Sequence, residues 1–178
     1  MHIRSLTKAD MAEAIRLKIA CWTEELAGKA DNTLDVDQEY AFWCDWMQSG
    51  KKHHDQRTLL GIFDDDKMQG VIFASLAEED DAMEGFEING LYVYPHARGK
   101  GIALTMIRQV IQVYLGLGCK ELIVYCHHHA PAQAFYTRLG GKVIRQDVQM
   151  DGKLLVDVFS FDQKTLSALL SRREKEDL

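Results

Sequence analysis

Apolar and polar positions follow two different rhythms in the central part of the chain. Between residues 86 and 94 the side chains are mostly aromatic, β-branched or aliphatic, and Pro95 ends the run, which predicts a strand. Beyond Gly101, apolar residues recur every three to four positions, which predicts a helix with one buried face. The apolar positions of that helix are Ile102, Met106, Ile107, Val110, Ile111 and Tyr114.

The same patterns, with glycine, proline and Asp/Asn-rich turns as breaks, predict an order β-α-α-β-β-β-α-β-α-β-β. Thr7 is predicted to cap the first helix, with Asp10 in its first turn. We expect one domain over residues 1–178, in which 162–178 form a C-terminal helical tail. The predicted strands are 2–6, 57–63, 68–76, 86–94, 121–126, 142–150 and 153–161; the further predicted helices are 7–27, 36–47, 130–139 and a tail from 163 that frays over 172–178.

Composition narrows the class of protein. Hydrophobic residues make up 47% of 178 residues, but no apolar run approaches the roughly 20 residues that cross a bilayer. The N-terminus lacks the pattern of a signal peptide, so we expect a cytoplasmic protein that does not bind membranes. The four cysteines are widely spaced and predict neither a disulfide framework nor a metal site.

Charge is divided unevenly along the chain. Residues 24–87 carry seventeen Asp and Glu against five Lys and Arg, whereas residues 88–178 are net basic. An acidic half would attract a cationic molecule. We expect 64–66 and 78–81, however, to be solvated hairpin loops. No basic stripe with interleaved aromatic residues is present, which argues against a nucleic-acid partner.

The turn between the central strand and helix has the sequence Arg98-Gly99-Lys100-Gly101-Ile102-Ala103. A strand that turns through glycines into a helix presents backbone N–H groups and the positive end of the helix dipole to one point, and Arg98 and Lys100 add charge. This predicts a site for a phosphate or pyrophosphate. A P-loop would need Ser or Thr at the position of Ile102, and a dinucleotide fingerprint would need a third glycine.

Arg-x-x-Gly-x-Ala in this turn resembles the acetyl-CoA pyrophosphate loop of the GNAT superfamily of N-acetyltransferases. Downstream, Ala132, Phe135-Tyr136 and Gly140 are similar to the second signature of that family, with His129 where the family usually carries Asn. The two motifs and the elements between them span about residues 86–145. The resemblance implies an α/β (α+β) fold with a mixed, mostly antiparallel sheet flanked by helices, and a cleft where the fourth and fifth strands splay apart.

The resemblance also implies acetyl-CoA as cosubstrate and direct transfer of the acetyl group to a primary amine of a small molecule or peptide. Dimers are common in the family, so a homodimer is possible. A bulge in the fourth strand, which Asn89-Gly90 could form, would open the cleft. The residues implied to bind the cofactor are Leu91, Tyr92, Val93, Arg98, Gly99, Lys100, Gly101, Ile102, Ala103, His129, Ala132, Phe135 and Tyr136.

Two residues are candidates for the chemistry. By resemblance, Tyr136 faces the thioester sulfur and would protonate the departing thiolate. Glu87 would be the general base or would bind the cationic acceptor; simple alternation places it on the face of Asn89 and Leu91. The run 127–129 is unsuited to a three-histidine metal site, because consecutive strand residues point in opposite directions.

Other assignments stay open at this point. The early tryptophans Trp22, Trp43 and Trp46 could form a wall of the acceptor pocket, although core packing is the commoner role. Candidates for binding the amine are Glu24, Glu25, Asp35 and Asp37. Two other functions compete with catalysis: an acyl-CoA-binding sensor or regulatory module, and an interaction domain whose acidic half binds a basic partner. The acceptor could be a polyamine, an amino acid, an antibiotic, a peptide N-terminus or a lysine side chain.

Overall fold

The structure of the protein is a computed structural model that describes residues 1–171. The fraying predicted for 172–178 lies outside the described residues. Over the part described, no helix is long and apolar enough to cross a membrane. The elements are β1 His2–Ser5, α1 Met11–Leu26, α2 Val36–Ser49, β2 Thr58–Asp64, β3 Lys67–Leu76, β4 Gly85–Val93, α3 Ile102–Gly116, β5 Glu121–His127, α4 Ala132–Arg138, β6 Lys142–Gln149, β7 Leu154–Asp162 and α5 Gln163–Ser171.

The strands form a seven-stranded sheet in the order β1-β2-β3-β4-β5-β7-β6. All neighbours are antiparallel except β4 and β5, which run parallel. One core cluster packs α3 and α5 against the sheet, and a second packs α1 and α2 through Met11, Ile15 and Trp43 onto Phe73. This confirms the predicted fold class, a mixed sheet flanked by helices.

The first helix begins later than predicted. Thr7 does not cap it; residues 8–10 form a turn, and α1 starts at Met11. The Asp10 carboxylate accepts hydrogen bonds from the backbone N–H and the hydroxyl of Thr7, both at 2.7 Å, and from Arg4. The chain therefore turns around Asp10 before it enters the helix. Helix α4 is also shorter than predicted, covering Ala132–Arg138 rather than 130–139.

The two parallel strands separate halfway along their length. The paired residues run from Gly85 opposite Glu121 to Ile88 opposite Val124. Beyond these positions β4 and β5 do not pair with each other. In β4, Ile88 pairs with Ala74 and Gly90 with Phe73 of β3, so Asn89 is an extra residue. The predicted bulge at Asn89-Gly90 is confirmed, and the simple alternation predicted for residues 87–91 stops at it.

Gly90 has a packing role next to this bulge. A Cβ atom there would come within 2.7 Å of the ring of Tyr92, because that ring folds back over the glycine. The Tyr92 hydroxyl also accepts a hydrogen bond of 3.1 Å from the indole N–H of Trp22 on α1. The bulge, the glycine and this hydrogen bond together shape the opening between β4 and β5.

Candidate active site

The turn before α3 has the backbone geometry of an anion site. Gly99 and Gly101 both have φ of +74°, a conformation that favours glycine, and a Cβ at either would meet nothing within 4 Å. No side chain of the described part caps the start of α3, so the first N–H groups of a 15-residue helix face open space. Such N–H groups and the helix dipole favour a phosphate.

A cavity of about 990 Å³ extends from this turn along β4 to α4. Of the residues predicted to bind the cofactor, all but Lys100 line it; the Lys100 side chain is exposed and does not contribute to the wall. The cavity lining joins the anion turn to side chains of β4 and α4, among them Leu91, Ala132 and Phe135. The cavity therefore suits an elongated ligand that carries phosphate at one end, which is the shape of a CoA thioester.

Arg98 forms an ion pair that the sequence did not reveal. Its guanidinium forms a bidentate ion pair with Glu24 of α1, at 2.8 and 2.7 Å, and its Nε donates to the carbonyl of Val93. The hydrogen bonds to Glu24 raise the pKa of Arg98 further above its ordinary value. Arg98 thus ties α1 to the turn at the edge of the cavity, and the backbone N–H groups are the free donors for an anion.

A second cavity of about 610 Å³ lies on the other side of the split between β4 and β5. Four acidic residues line it: Glu25, Asp81, Glu87 and Asp147. Arg145 offsets part of this charge, since its guanidinium pairs with Asp81 and lies 3.5 Å from Asp147. The wall carries a net negative charge and would attract a cationic ligand.

The two cavities share part of their walls. Residues common to both are Glu25, Leu91, Tyr92, Ala132 and Tyr136. The elements that contribute them are α1, the open end of β4, and α4. A ligand in one cavity could therefore meet a ligand in the other at this junction.

Tyr136 is buried at the junction, with 6% of its surface exposed. Burial raises the pKa of its hydroxyl well above the ordinary value, so the group stays protonated. Within residues 1–171 the hydroxyl has no hydrogen-bond partner, whereas the ring packs between Phe135 and Phe159. A neutral O–H donor is therefore available at the point where the cavities meet.

Glu87 lies in the second cavity and is a strongly perturbed carboxyl group. Burial, and then the charges of Asp81 and Glu78, raise its pKa to about 7; Arg145 and a hydrogen bond with Asn89 act in the opposite direction. A carboxyl that titrates near neutrality can exchange protons with a ligand at physiological pH.

Asp81 corrects an expectation from the sequence. It does not belong to a merely solvated loop: its carboxylate accepts from the Tyr125 hydroxyl at 3.1 Å and from Arg145, and it lines the second cavity. Asp81 and Asp147 were not recognised as site residues, because they are far apart in sequence from the two motifs. The turn residues Asp65 and Asp66, by contrast, are exposed as expected.

The other candidates divide between core and site. Trp43, on α2, is buried in the core, and Trp46 packs against it. Trp22 lines the second cavity, which we call the acidic cavity. Glu24 and Glu25 line the first cavity, but Asp35 and Asp37 line neither; Asp35 caps α2. Among residues 1–171, no group of three or more Cys, His, Asp and Glu side chains is arranged to hold a metal ion.

Helix α4, which carries Tyr136, is anchored by the buried carboxylate of Asp157 on β7. Asp157 is 3% exposed and accepts from Gln133 of α4 at 2.6 Å, from Gln146 at 2.7 Å, and contacts His128 Nδ1 at 2.7 Å. Burial alone would raise the pKa of Asp157, but the hydrogen bonds from Gln146, His128 and Gln133 outweigh it and hold the pKa below its ordinary value.

We expect Asp157→Ala to lower the free energy of unfolding by about 1–3 kcal/mol, because Gln133, Gln146 and His128 lose their buried acceptor. Asp157→Asn keeps one acceptor oxygen and should cost about half as much. Since the pKa of Asp157 is lowered by folding, its stabilisation should be present at neutral pH and lost as the pH falls into the acid range. Urea unfolding at pH 7 and pH 3 measures both effects; equal stability of the three proteins would contradict the anchoring role.

Comparisons with known proteins agree with this geometry. The profile of the acetyltransferase (GNAT) family matches residues 15–141, most of the chain. No curated protein sequence matches significantly. An N-acetyltransferase from Staphylococcus aureus Mu50 has a similar structure, with a TM-score of 0.71 and 17% identity over 91% of this chain and 98% of that one.

Two further solved structures share the fold and contain the cofactor. PaiA N-acetyltransferase from Thermoplasma acidophilum, in complex with coenzyme A, has a TM-score of 0.69 and 20% identity over 88% of this chain and 96% of that one. YncA from Salmonella typhimurium, with its cofactor acetyl-CoA, has a TM-score of 0.67 and 20% identity over 92% and 94%. With the family profile covering well over half of its length, the chain belongs to the acetyltransferase (GNAT) family.

Proposed function

We propose that this protein transfers the acetyl group of acetyl-CoA directly to a primary amine that enters as a cation. The observation that supports this most strongly is the junction between a phosphate-ended cavity and an acidic cavity, with a neutral Tyr136 hydroxyl between them. Acetyl transfer to an amine requires a thioester and an amine to meet in one place, with a proton donor beside the leaving sulfur.

Acetyl-CoA enters from the side of α3. Its pyrophosphate lies against the N–H groups of residues 99–103, and its pantetheine arm runs along the unpaired edge of β4 at Leu91 and Val93. Because β5 has moved away there, the free main-chain groups of β4 can bond to the arm much as they would to an added strand. Ala132 and Phe135 of α4 cover the opposite side.

The amine enters through the acidic cavity. Glu87 and Asp147 attract the ammonium group, which loses some of its hydration as it is bound between Trp22 and the strand ends. Glu87, with a pKa of about 7, binds the ammonium as a carboxylate or takes its proton through water.

Homodimer formation and the cytoplasmic location stay predictions.

The proposal is tested by incubating the purified protein with acetyl-CoA and a panel of amines, and by measuring free thiol and the acetylated product. The panel comprises a polyamine, free amino acids, an aminoglycoside, and peptides with a free N-terminus or a lysine side chain. At least one amine should be acetylated, and its hydroxyl analogue should not. Binding of acetyl-CoA without transfer to any amine would favour the sensor alternative and contradict this proposal.

Replacement of Glu87 by Gln should change both activity and stability in a pH-dependent way. The folded pKa of Glu87 is raised above that of the unfolded chain, so wild-type stability falls as the pH rises from about 4.5 to 7. The variant has no such loss, and we expect it to be more stable than the wild type by about 1–3 kcal/mol at pH 8 and equally stable at pH 4. Its kcat/KM at pH 8 should fall about tenfold.

The exposed Glu79 provides a matched control for this change. Glu79→Gln removes the same charge from a residue outside both cavities and should leave the pH dependence of unfolding and of kcat/KM as in the wild type. If Glu87→Gln and Glu79→Gln behaved alike in both measurements, the perturbed carboxyl would not be part of the site.

A further inference from the structure

Amide formation removes two protons from an ammonium nitrogen, one before it attacks and one as the C–N bond forms. Glu87 is a candidate for the first. A second acceptor is needed close to the reacting carbon, because the positive charge that develops on the nitrogen must be relieved there. Besides its carboxylates, the acidic cavity contains an imidazole that can accept this proton, that of His127 on β5.

The register of the sheet places His127 nearer to the junction than Glu87. Glu87 is opposite Ile123, within the paired part of β4 and β5. His127 is four residues further on, at the open end of β5, which corresponds to about 13 Å along a strand. Allowing for the bulge, this is the level of Leu91 and Tyr92, which line both cavities.

A carboxylate holds the imidazole from the opposite side of the opening. His127 Nδ1 lies 2.9 Å from Oε2 of Glu25 on α1, and the two side chains are 12% and 34% exposed. The contact has the distance but not the angular alignment of a hydrogen bond, so Nδ1 counts among the buried atoms without one. A rotation of the Glu25 carboxylate, which is 34% exposed, would bring the two groups into alignment. Nδ1 then carries the proton and Nε2 is the free acceptor.

Packing restricts the ring as well. The indole of Trp22 meets the imidazole edge to face, with ring centroids 5.0 Å apart, and its own N–H is bonded to Tyr92. The carbonyl of His127 accepts a hydrogen bond of 3.1 Å from Gln133 on α4. Glu25, Trp22 and Gln133 thus fix a histidine that is nearly buried and that faces the cavity.

We propose that His127 is a catalytic residue that accepts a proton from the acceptor nitrogen as the C–N bond forms, and that Glu25 is its positioning residue. This inference rests on the proposed function. The nitrogen lone pair bonds to the thioester carbon, the C–S bond breaks with its electron pair on sulfur, and the nitrogen proton moves to His127 Nε2. The Tyr136 hydroxyl protonates the sulfur, and the proton on His127 then returns to Tyr136 through water. Amide and free CoA are the products.

His127 and Glu25 have several titratable neighbours, and each of them can contribute to the pH dependence of kcat. The groups that line the same cavity from α1, β4, β5, α4, β6 and the loop before β4 are Glu25, Glu87, Tyr92, Tyr125, Cys126, Tyr136, Asp147 and Asp81. For this reason the test compares variants with the wild type rather than assigning a titration to one group.

The test uses an amine that the wild type acetylates. His127→Asn keeps a donor toward Glu25 but has no proton acceptor at the position of Nε2. Its kcat at pH 7 should fall about a hundredfold, while acetyl-CoA still raises its melting temperature as in the wild type. Its kcat should also rise more steeply with pH, because hydroxide replaces the lost base. Added imidazole should restore turnover to His127→Ala, and more basic imidazoles should restore more.

Glu25→Gln and an exposed histidine complete the design. Glu25→Gln should lose about tenfold in kcat with the same change in pH profile, and His53→Asn, on the surface after α2, should match the wild type. If the wild type acetylates an amine and His127→Asn has the same kcat, the proposed role of His127 is overturned. The proposed function is unaffected by that outcome. A loss in both His127 variants that no imidazole restores would also overturn the proposed role of His127, since that loss indicates a structural role. Failure of the wild type to acetylate any amine would overturn the proposed function, and this inference with it.

Discussion

Gly101→Glu is expected to abolish acetyl-CoA binding. Gly101 has φ of +74° at the start of α3, where we propose that the free N–H groups and the helix dipole bind the pyrophosphate. A glutamate there places a negative charge and a bulky side chain in the space that the phosphates occupy, and it strains the backbone by about 1 kcal/mol. Affinity should fall by at least about a thousandfold, whereas the fold should persist.

Thermal unfolding with and without acetyl-CoA measures this effect. At about a hundredfold excess over its dissociation constant, the ligand should stabilise the wild type by about 2.7 kcal/mol, roughly 5–10 °C for a chain of this size. Gly101→Glu should show no shift. Gly118→Glu is the matched control, because Gly118 has φ of +92° and equally open surroundings but lies outside both cavities. A normal shift in Gly101→Glu would place the pyrophosphate elsewhere.

Tyr136→Phe should lower kcat by about a thousandfold and leave the affinity for acetyl-CoA within about twofold of the wild type. The hydroxyl has no partner among residues 1–171, so its removal frees no buried group, and the ring contacts with Phe135 and Phe159 are retained. What the variant lacks is the proton for the departing sulfur. Burial destabilises a thiolate as it does a phenolate, so the burial that makes Tyr136 a weaker acid also makes the departing thiolate a stronger base.

Steady-state kinetics together with calorimetric binding of acetyl-CoA separates these two effects. Because the pKa of Tyr136 is raised by burial, wild-type kcat should show no loss from its ionisation up to about pH 9.5. Tyr114→Phe serves as control: this tyrosine is buried and its hydroxyl donates to the carbonyl of Gln56 at 2.7 Å, but it lines neither cavity. It should lose stability without losing turnover. A Tyr136→Phe enzyme with wild-type kcat would exclude the acid role.

The local pattern of the sequence was sufficient for most of the fold. Apolar periodicity predicted α3 and β4 within a residue or two, since both elements are bounded by strong breaks, Pro95 on one side and Gly101 on the other. The predicted start of α1 was wrong, because threonine and aspartate are both common N-cap residues. The residue types alone did not distinguish Thr7 from Asp10 as the cap. In the structure the chain turns around Asp10, whose carboxylate also pairs with Arg4 of the preceding strand β1.

The turn proposed to bind the cofactor was also accessible from the sequence. Its backbone donors come from one continuous stretch, residues 98–103, where glycines with positive φ, a strand end and a helix start follow each other directly. The exception is Arg98. The sequence did not reveal that Arg98 pairs with Glu24, because Glu24 lies on a helix more than 70 residues earlier in the chain.

The proposed acceptor side of the site could be recognised only in three dimensions. Asp81 and Asp147 belong to a loop and an edge strand that meet through Arg145, and Glu25 reaches His127 across the split sheet. The perturbed carboxyl of Glu87 likewise depends on its burial and on the charge of Asp81. Side chains far apart in sequence produce no local pattern, and the charge excess of residues 24–87 did not indicate which of its acids line a cavity.

By itself, the sequence determined the order of the elements, the anion turn at residues 98–103 and the two motifs of the family, because each depends on neighbours along the chain. The tertiary structure alone decided where β4 and β5 part, which acidic groups face the opening, and that Glu25 lies beside His127. Those features depend on distances between separate elements, and burial and electrostatic interaction follow distance in space rather than along the chain.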